Sequence, residues 1–170
     1  MSLKLLVFDL DDTLLDTTTL LIPIARTPAF EERIRQPLPL MPGALENLER
    51  LKSRYILTLL TQGRVEAQMQ KVTSLGIGHF FKEQYFADPN KAQPKSLFFA
   101  QILQDLKVQA SEAMSIGNRR TTDIREAKKI GYRTCLFKYG EHQNEQIECP
   151  EDQADFEVHS HQELISTCHL

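Results

Sequence analysis

Leu3-Lys4-Leu5-Leu6-Val7-Phe8-Asp9-Leu10-Asp11-Asp12-Thr13-Leu14 runs from an apolar stretch straight into two carboxylates separated by one residue. Six residues of this kind read as a strand buried on both faces. Side chains alternate along a strand, so Asp9 and Asp11 are expected to point to the same side. Two like charges held together repel, and the arrangement is costly unless a cation or a proton sits between them. A fold gains nothing from such a pair, so the residues point to chemistry.

Strand and helix patterns alternate outward from this stretch. Strands are expected at Leu3 to Asp9, Tyr55 to Leu60, Gln84 to Ala87, Ala113 to Ile116, Thr134 to Phe137 and Phe156 to His159. Amphipathic helices lie between them. One opens at Pro42-Gly43 and carries Leu45, Leu48 and Leu51. The next carries Val65, Met69, Val72 and Leu75 and closes at Gly76. A third holds Phe98, Ile102 and Leu106. A fourth holds Ile124, Ala127 and Ile130 and closes at Gly131. The alternation predicts an α/β fold, a three-layer, doubly wound parallel sheet with right-handed crossovers. Ligands bind such sheets beyond the carboxyl ends of the strands. The Asp pair lies at one such end, and Thr61 and Gly117 lie at two others.

Two segments break the rhythm. Asp16 to Leu40 is interrupted by Pro23, Pro28, Pro37 and Pro39. It reads as two or three short helical pieces forming a small lid over the Asp pair. Tyr139 to Asp155 is polar and acidic and reads as a surface loop. The expectation is one domain over residues 1–170, with a short cap inserted at about 16–40.

Composition narrows the function classes. The chain has 170 residues, 41% of them apolar and 25% charged, with a net charge of −3, ordinary for a soluble globular protein. Its pI of about 6.0 and the lack of a basic block give no footprint for nucleic acid or an anionic membrane. The apolar runs are strand-sized, so none spans a bilayer. The N-terminus enters a buried strand at once, which speaks against a secretory signal. Cys135, Cys149 and Cys168 are scattered and odd in number, and read as reduced thiols of a cytoplasmic protein.

Four separated motifs, each at a strand end or helix start, follow in order: Asp9-Leu10-Asp11-Asp12-Thr13-Leu14-Leu15; Leu57-Thr58-Leu59-Leu60-Thr61-Gln62-Gly63; Asn90-Lys91-Ala92-Gln93-Pro94-Lys95; and Ser115-Ile116-Gly117-Asn118 with Asp123 beyond it. Together with the sheet and lid they resemble the haloacid dehalogenase-like (HAD-like) hydrolase superfamily over nearly the whole chain. The resemblance implies a HAD-like, Rossmann-like fold and a magnesium-dependent phosphatase. Asp9 would be the nucleophile and form an aspartyl-phosphate. Asp11 would be general acid and then base, with its backbone carbonyl facing the metal. The Thr61 hydroxyl and the Gln62 N–H would bind phosphate oxygens, although Thr61 also suits a helix N-cap. A lysine would neutralise nucleophile and phosphate. Lys95 is favoured by its spacing, and Lys91, in a Lys-x-x-Pro pattern, competes with it.

The fourth motif departs from the family. Its phosphatases have Gly-Asp here, and that Asp binds magnesium; this chain has Gly117-Asn118. Asn is the weaker magnesium ligand. Asp123 would join Asp9, Asp11 and Asn118 around Mg2+, although an acidic residue there also suits a helix N-terminus. Arg119 and Arg120 between them are left unassigned.

Dehalogenases of the superfamily generally lack the second Asp, because a halide leaves without a proton. Asp11 therefore favours phosphate chemistry. Mutases and phosphotransferases use larger caps, so hydrolysis is preferred. The substrate would be a phosphorylated small molecule or macromolecule. The competing readings are a non-catalytic phosphate-binding or regulatory protein and a metal-independent haloacid dehalogenase. His159 and His161 share a strand-like period, but their spacing defines no zinc site, and a polar terminal helix is the simpler reading. His142 reads as a loop residue.

Overall fold

The computed structural model describes residues 2–91 and 93–170; Met1, and Ala92 of the lysine motif, lie outside the described residues. Six parallel strands form one sheet: β1 (Leu5–Phe8), β2 (Ile56–Gln62), β3 (Glu83–Ala87), β4 (Ala113–Gly117), β5 (Arg133–Phe137) and β6 (Phe156–Val158). Their order across the sheet is β3-β2-β1-β4-β5-β6. The chain builds outward from β1 on one side, then returns to lay β4 against its other edge. The direction of winding reverses there, which opens a crevice at the carboxyl ends of β1 and β4.

Alternation along β1 explains the layers. Leu6 and Phe8 point into a large core with Leu57 and Leu59 of β2, Met114 and Ile116 of β4, and Phe137 of β5. Leu5 and Val7 point the other way, into a core with Leu60, Phe99, Ile102 and Ala127. The first core is covered by helices α3 (Ala44–Leu51), α4 (Val65–Leu75) and α7 (His161–Cys168). The second is covered by α5 (Lys95–Leu106) and α6 (Arg125–Ile130). With apolar residues facing both ways, β1 can only be an internal strand.

The helical stripes differ in detail from the periodicity. Leu45 on α3 and Met69 on α4 were expected to be core, and both are exposed. On α4 the buried positions are Ala67, Gln68, Lys71, Val72 and Leu75, so two polar residues occupy the inward face. The segment after β1 holds three short pieces, α1 (Thr17–Leu20), a 3₁₀ turn (Ile22–Ile24) and α2 (Pro28–Ile34), with α2 packed on α4. Among the described residues no helix is long and apolar enough to cross a membrane.

Candidate active site

Phe8 lies in register with Leu59 of β2 and Ile116 of β4, so the residues after all three strands emerge together. Asp9 continues the β1 ladder by one bond, donating its N–H to Ile116 O at 2.9 Å. The strand ends there, and the alternation argument for Asp11 ends with it. The chain curls, with Leu14 and Leu15 N–H both donating to Leu10 O at 2.9 and 3.0 Å, and Asp12 takes a left-handed conformation at φ 54°. Asp tolerates that conformation better than most residues. Asp9 and Asp11 face one cavity of about 370 Å³ because of this tight loop, not because of strand pleat. The Asp12 carboxylate accepts from Thr18 N and Oγ1 at 2.8 and 2.7 Å, which ties the start of α1 to the loop.

Lys95, the first residue of α5, reaches under the sheet edge. Its ammonium donates to Asp9 Oδ1 at 2.8 Å, Asp123 Oδ1 at 2.6 Å and Leu60 O at 3.2 Å, so all three of its protons have partners. Lys91 lies exposed on a 3₁₀ turn (Pro89–Lys91), away from these groups. Asp123 sits in a π-helical turn (Arg120–Ile124), where its second oxygen accepts from Arg119 N at 2.9 Å. Its carboxylate folds back over Gly117: a Cβ there would lie 2.4 Å from Asp123 Cγ, so only glycine fits. Asn118 is buried against the cavity, and its amide nitrogen donates toward Tyr139 O at 3.5 Å, which leaves its oxygen available to accept a hydrogen bond or to ligate a cation.

Asp11 has a different set of partners. Thr17 Oγ1 donates to Oδ1, Lys71 Nζ reaches Oδ1 at 2.7 Å, and Gln68 Nε2 reaches Oδ2 at 2.8 Å. Thr61 is buried, and its Oγ1 accepts from the same Gln68 nitrogen at 2.6 Å; Gln62 lines the cavity. Gln68 and Lys71 carry no motif. The available signal was positional: Gln68, Val72 and Leu75 share one helical stripe, and a polar residue on a core stripe needs a reason. The rim adds Arg119, Glu141 and His142, with His142 between Glu141 at 3.2 Å and Glu145 at 3.3 Å.

The two aspartates titrate in opposite directions. Burial pushes Asp9 up to about 7, Lys95 pulls it back, and the charge of Asp123 raises it again. Burial also works against the Asp11 charge, but Lys71, then Thr17 and Gln68, hold it below the ordinary carboxylate range. Burial opposes the Lys95 charge, but Asp123 and Asp9 outweigh it and keep the ammonium.

Asp9, Asp11 and Asp123 thus share two ammonium groups, and the centre is short of positive charge. Burial, and beside it the charge of Asp123, disfavour the Asp9 carboxylate, and a bound cation would offset both. Among the described residues no three His, Cys, Asp or Glu side chains form a cage. The oxygen-bearing residues Asp9, Asp11, Asn118 and Asp123 all line the cavity. This hard, all-oxygen set fits a largely hydrated magnesium ion rather than a softer metal in a closed site.

A parallel sheet wound both ways from its first strand, with carboxylates, a buried lysine and a cavity at the switch point, defines a doubly wound, Rossmann-like α/β protein with a charged ligand site. A model of haloacid dehalogenase-like hydrolases matches residues 26–137. The chain belongs to that family. It is similar to a glyceraldehyde 3-phosphate phosphatase of Pyrococcus abyssi, 29% identical over 197 aligned positions that cover 81% of this chain and 82% of the relative. Among solved structures it resembles a 2-haloacid dehalogenase of Pseudomonas syringae (TM-score 0.76, 20% identity) and the magnesium-bound HAD-hydrolase YfnB of Bacillus subtilis (TM-score 0.74, 17% identity), each aligned over 98% of both chains. At these identities the two structures speak for the fold.

Proposed function

We propose that the protein is a magnesium-dependent phosphatase that hydrolyses a small phosphate monoester through an aspartyl-phosphate on Asp9. The observation that carries this reading is the division of labour between the two aspartates. Asp9 is 8% exposed and salt-bridged to Lys95 at the cavity floor, and Asp11 is held in a separate polar cradle. The phosphatase name of the Pyrococcus relative supports the same reaction class. The cavity of about 370 Å³ favours a metabolite over a macromolecule.

An Asp9 oxygen attacks phosphorus as the bond to the leaving oxygen breaks. The leaving oxygen takes the bonding pair and a proton from Asp11. An incoming phosphate dianion raises the proton affinity of Asp11, which takes up a proton from solvent as substrate binds and carries it to the leaving oxygen. Lys95 neutralises charge at Asp9, and the Thr61 hydroxyl and Gln62 N–H bind the phosphate oxygens. Asp11, now ionised, takes a proton from water, whose oxygen attacks phosphorus and releases Asp9. The net change is ester plus water to alcohol plus phosphate. Asp9, the Asp11 carbonyl, Asn118 and Asp123 would hold the magnesium ion, which supplies positive charge against the phosphate and the nucleophile. Residues 16–40 act as the short lid of a single domain spanning residues 1–170, tied to the reacting loop through Asp12 and Thr18.

The test is turnover of 4-nitrophenyl phosphate and a panel of phosphorylated metabolites, with magnesium or with chelator, beside Asp9→Asn. Expected are magnesium-dependent phosphate release and its loss to background in Asp9→Asn. No magnesium-dependent turnover on any substrate overturns the proposal. Metal-independent halide release from a haloacid would move the protein to the dehalogenase branch.

A further inference from the structure

Gln68 is 2% exposed on the inward face of α4, beside Ala67, Val72 and Leu75, which pack, and Lys71, which also reaches Asp11. Burying a primary amide is unfavourable unless its hydrogen bonds are made. Here its nitrogen lies 2.6 Å from Thr61 Oγ1 and 2.8 Å from Asp11 Oδ2. The amide orientation follows from chemistry. An ionised carboxylate only accepts, so the NH2 end must face Asp11. The backbone is shaped around this side chain: a Cβ on Gly63 would come within 3.0 Å of Gln68 Cδ.

We propose that Gln68 is a positioning residue that couples phosphate binding at Thr61 to proton transfer at Asp11; this rests on the phosphatase reading above. Its two N–H groups are divided between the two partners. Thr61 Oγ1 is occupied as an acceptor on the Gln68 side, so its own O–H is left to point away from Gln68, and on the phosphatase reading that proton goes to the phosphate. Asp11 is gripped at Oδ1 by Lys71 and Thr17 and at Oδ2 by Gln68, which fixes the plane of its carboxylate. The oxygen that delivers the proton to the departing alkoxide, and later takes one from water, therefore has a set direction. One side chain aligns both the group that holds the phosphate and the group that protonates the leaving oxygen, while touching neither substrate atom.

Leaving-group dependence tests this. kcat/KM reports the steps through phosphoryl transfer to Asp9, and aryl phosphates of similar size differ in how much protonation their phenol needs. Phenyl phosphate needs more of it than 4-nitrophenyl phosphate. In Gln68→Met, of similar length but without donors, kcat/KM is expected to fall for both substrates as Thr61 loses its aim. It should fall about tenfold further for phenyl phosphate. A purely structural role lowers both equally, and an unchanged ratio with a normal thermal melt overturns the inference. If Gln68→Met does not fold, Gln68→Leu, apolar and likewise without donors, carries the same expectation. A wild-type protein that turns over neither aryl phosphate, nor any phosphometabolite, removes the proposed function and this inference with it. Wild-type turnover with an unchanged ratio removes the inference alone.

Discussion

Two residues apart, Asp9 and Asp11 have opposite electrostatic settings, and the difference lies in which lysine each one meets. Lys95 is shared between Asp9 and Asp123, whereas Lys71 has Asp11 to itself. Lys95→Met would leave two buried carboxylates facing each other without a cation. Removing one partner of a buried ion pair costs about 3–5 kcal/mol. Urea denaturation at neutral pH should register a loss of that size, together with loss of phosphate release. At this scale the sequence was legible wherever chemistry is tied to a local motif: Asp9, Lys95, Asn118 and Asp123 all border the cavity. It was illegible for Gln68 and Lys71, because a polar residue on a helix normally reads as solvent-facing. The period even favoured Met69, which is 51% exposed while its neighbour Gln68 turns inward. What decides between them is the position of Asp11 some sixty residues away in the chain; the stripe of Gln68 with Val72 and Leu75 hints at burial but does not name the partner.

Among the elements, α4 and α5 touch the aspartates directly, and α7 is tied to the same loop through a backbone carbonyl. His161 at its first turn lies 2.7 Å from Thr13 O through Nε2, and its Nδ1 lies 3.3 Å from the Asn47 amide of α3. An amide nitrogen donates, so Nδ1 accepts, and the ring is neutral with its proton on Nε2. Burial depresses the His161 pKa below its ordinary value of about 6.5, against the opposing pull of the Thr13 carbonyl and of Glu46. A histidine depressed in the fold takes up its proton more readily when unfolded. Its contribution is therefore full above about pH 6.5 and is lost as pH falls through the folded value. Urea midpoints followed from about pH 7.5 to about pH 5 should fall less steeply in His161→Gln than in wild type. Element types were legible because strand and helix patterns are local. All six expected strands are present within two residues at each end, and the interrupted segment after β1 does hold three short pieces. The exception is the loop after Phe8, where the expected alternation gives way to a left-handed turn at Asp12.

Across the whole molecule, the segment that brings Glu141 and His142 to the cavity rim is anchored by two arginines that follow β4. Arg120 donates to Glu145 O at 3.2 Å, Asp152 O at 3.0 Å and Glu157 Oε1 at 2.7 Å. Arg125 forks onto both oxygens of buried Asp152 at 2.6 and 2.8 Å, a bidentate pair that drives the Asp152 carboxyl well below the usual range. In Arg120→Met the backbone amides of 141–155 should exchange with deuterium about tenfold faster or more, while β1 and β4 keep their protection. An equal rise across the sheet would mean that the arginine supports the fold globally. These long-range ties were invisible in the sequence, where 139–155 reads only as a polar loop.

The bond from His161 to Thr13 O joins residues 148 positions apart. The loop carrying Asp9 and Asp11 is thus synthesised well before α7, and one of its backbone carbonyls waits for a partner made later. At ribosomal rates that interval is about 7–30 s. During translation the Thr13 carbonyl therefore stays without this partner until α7 docks.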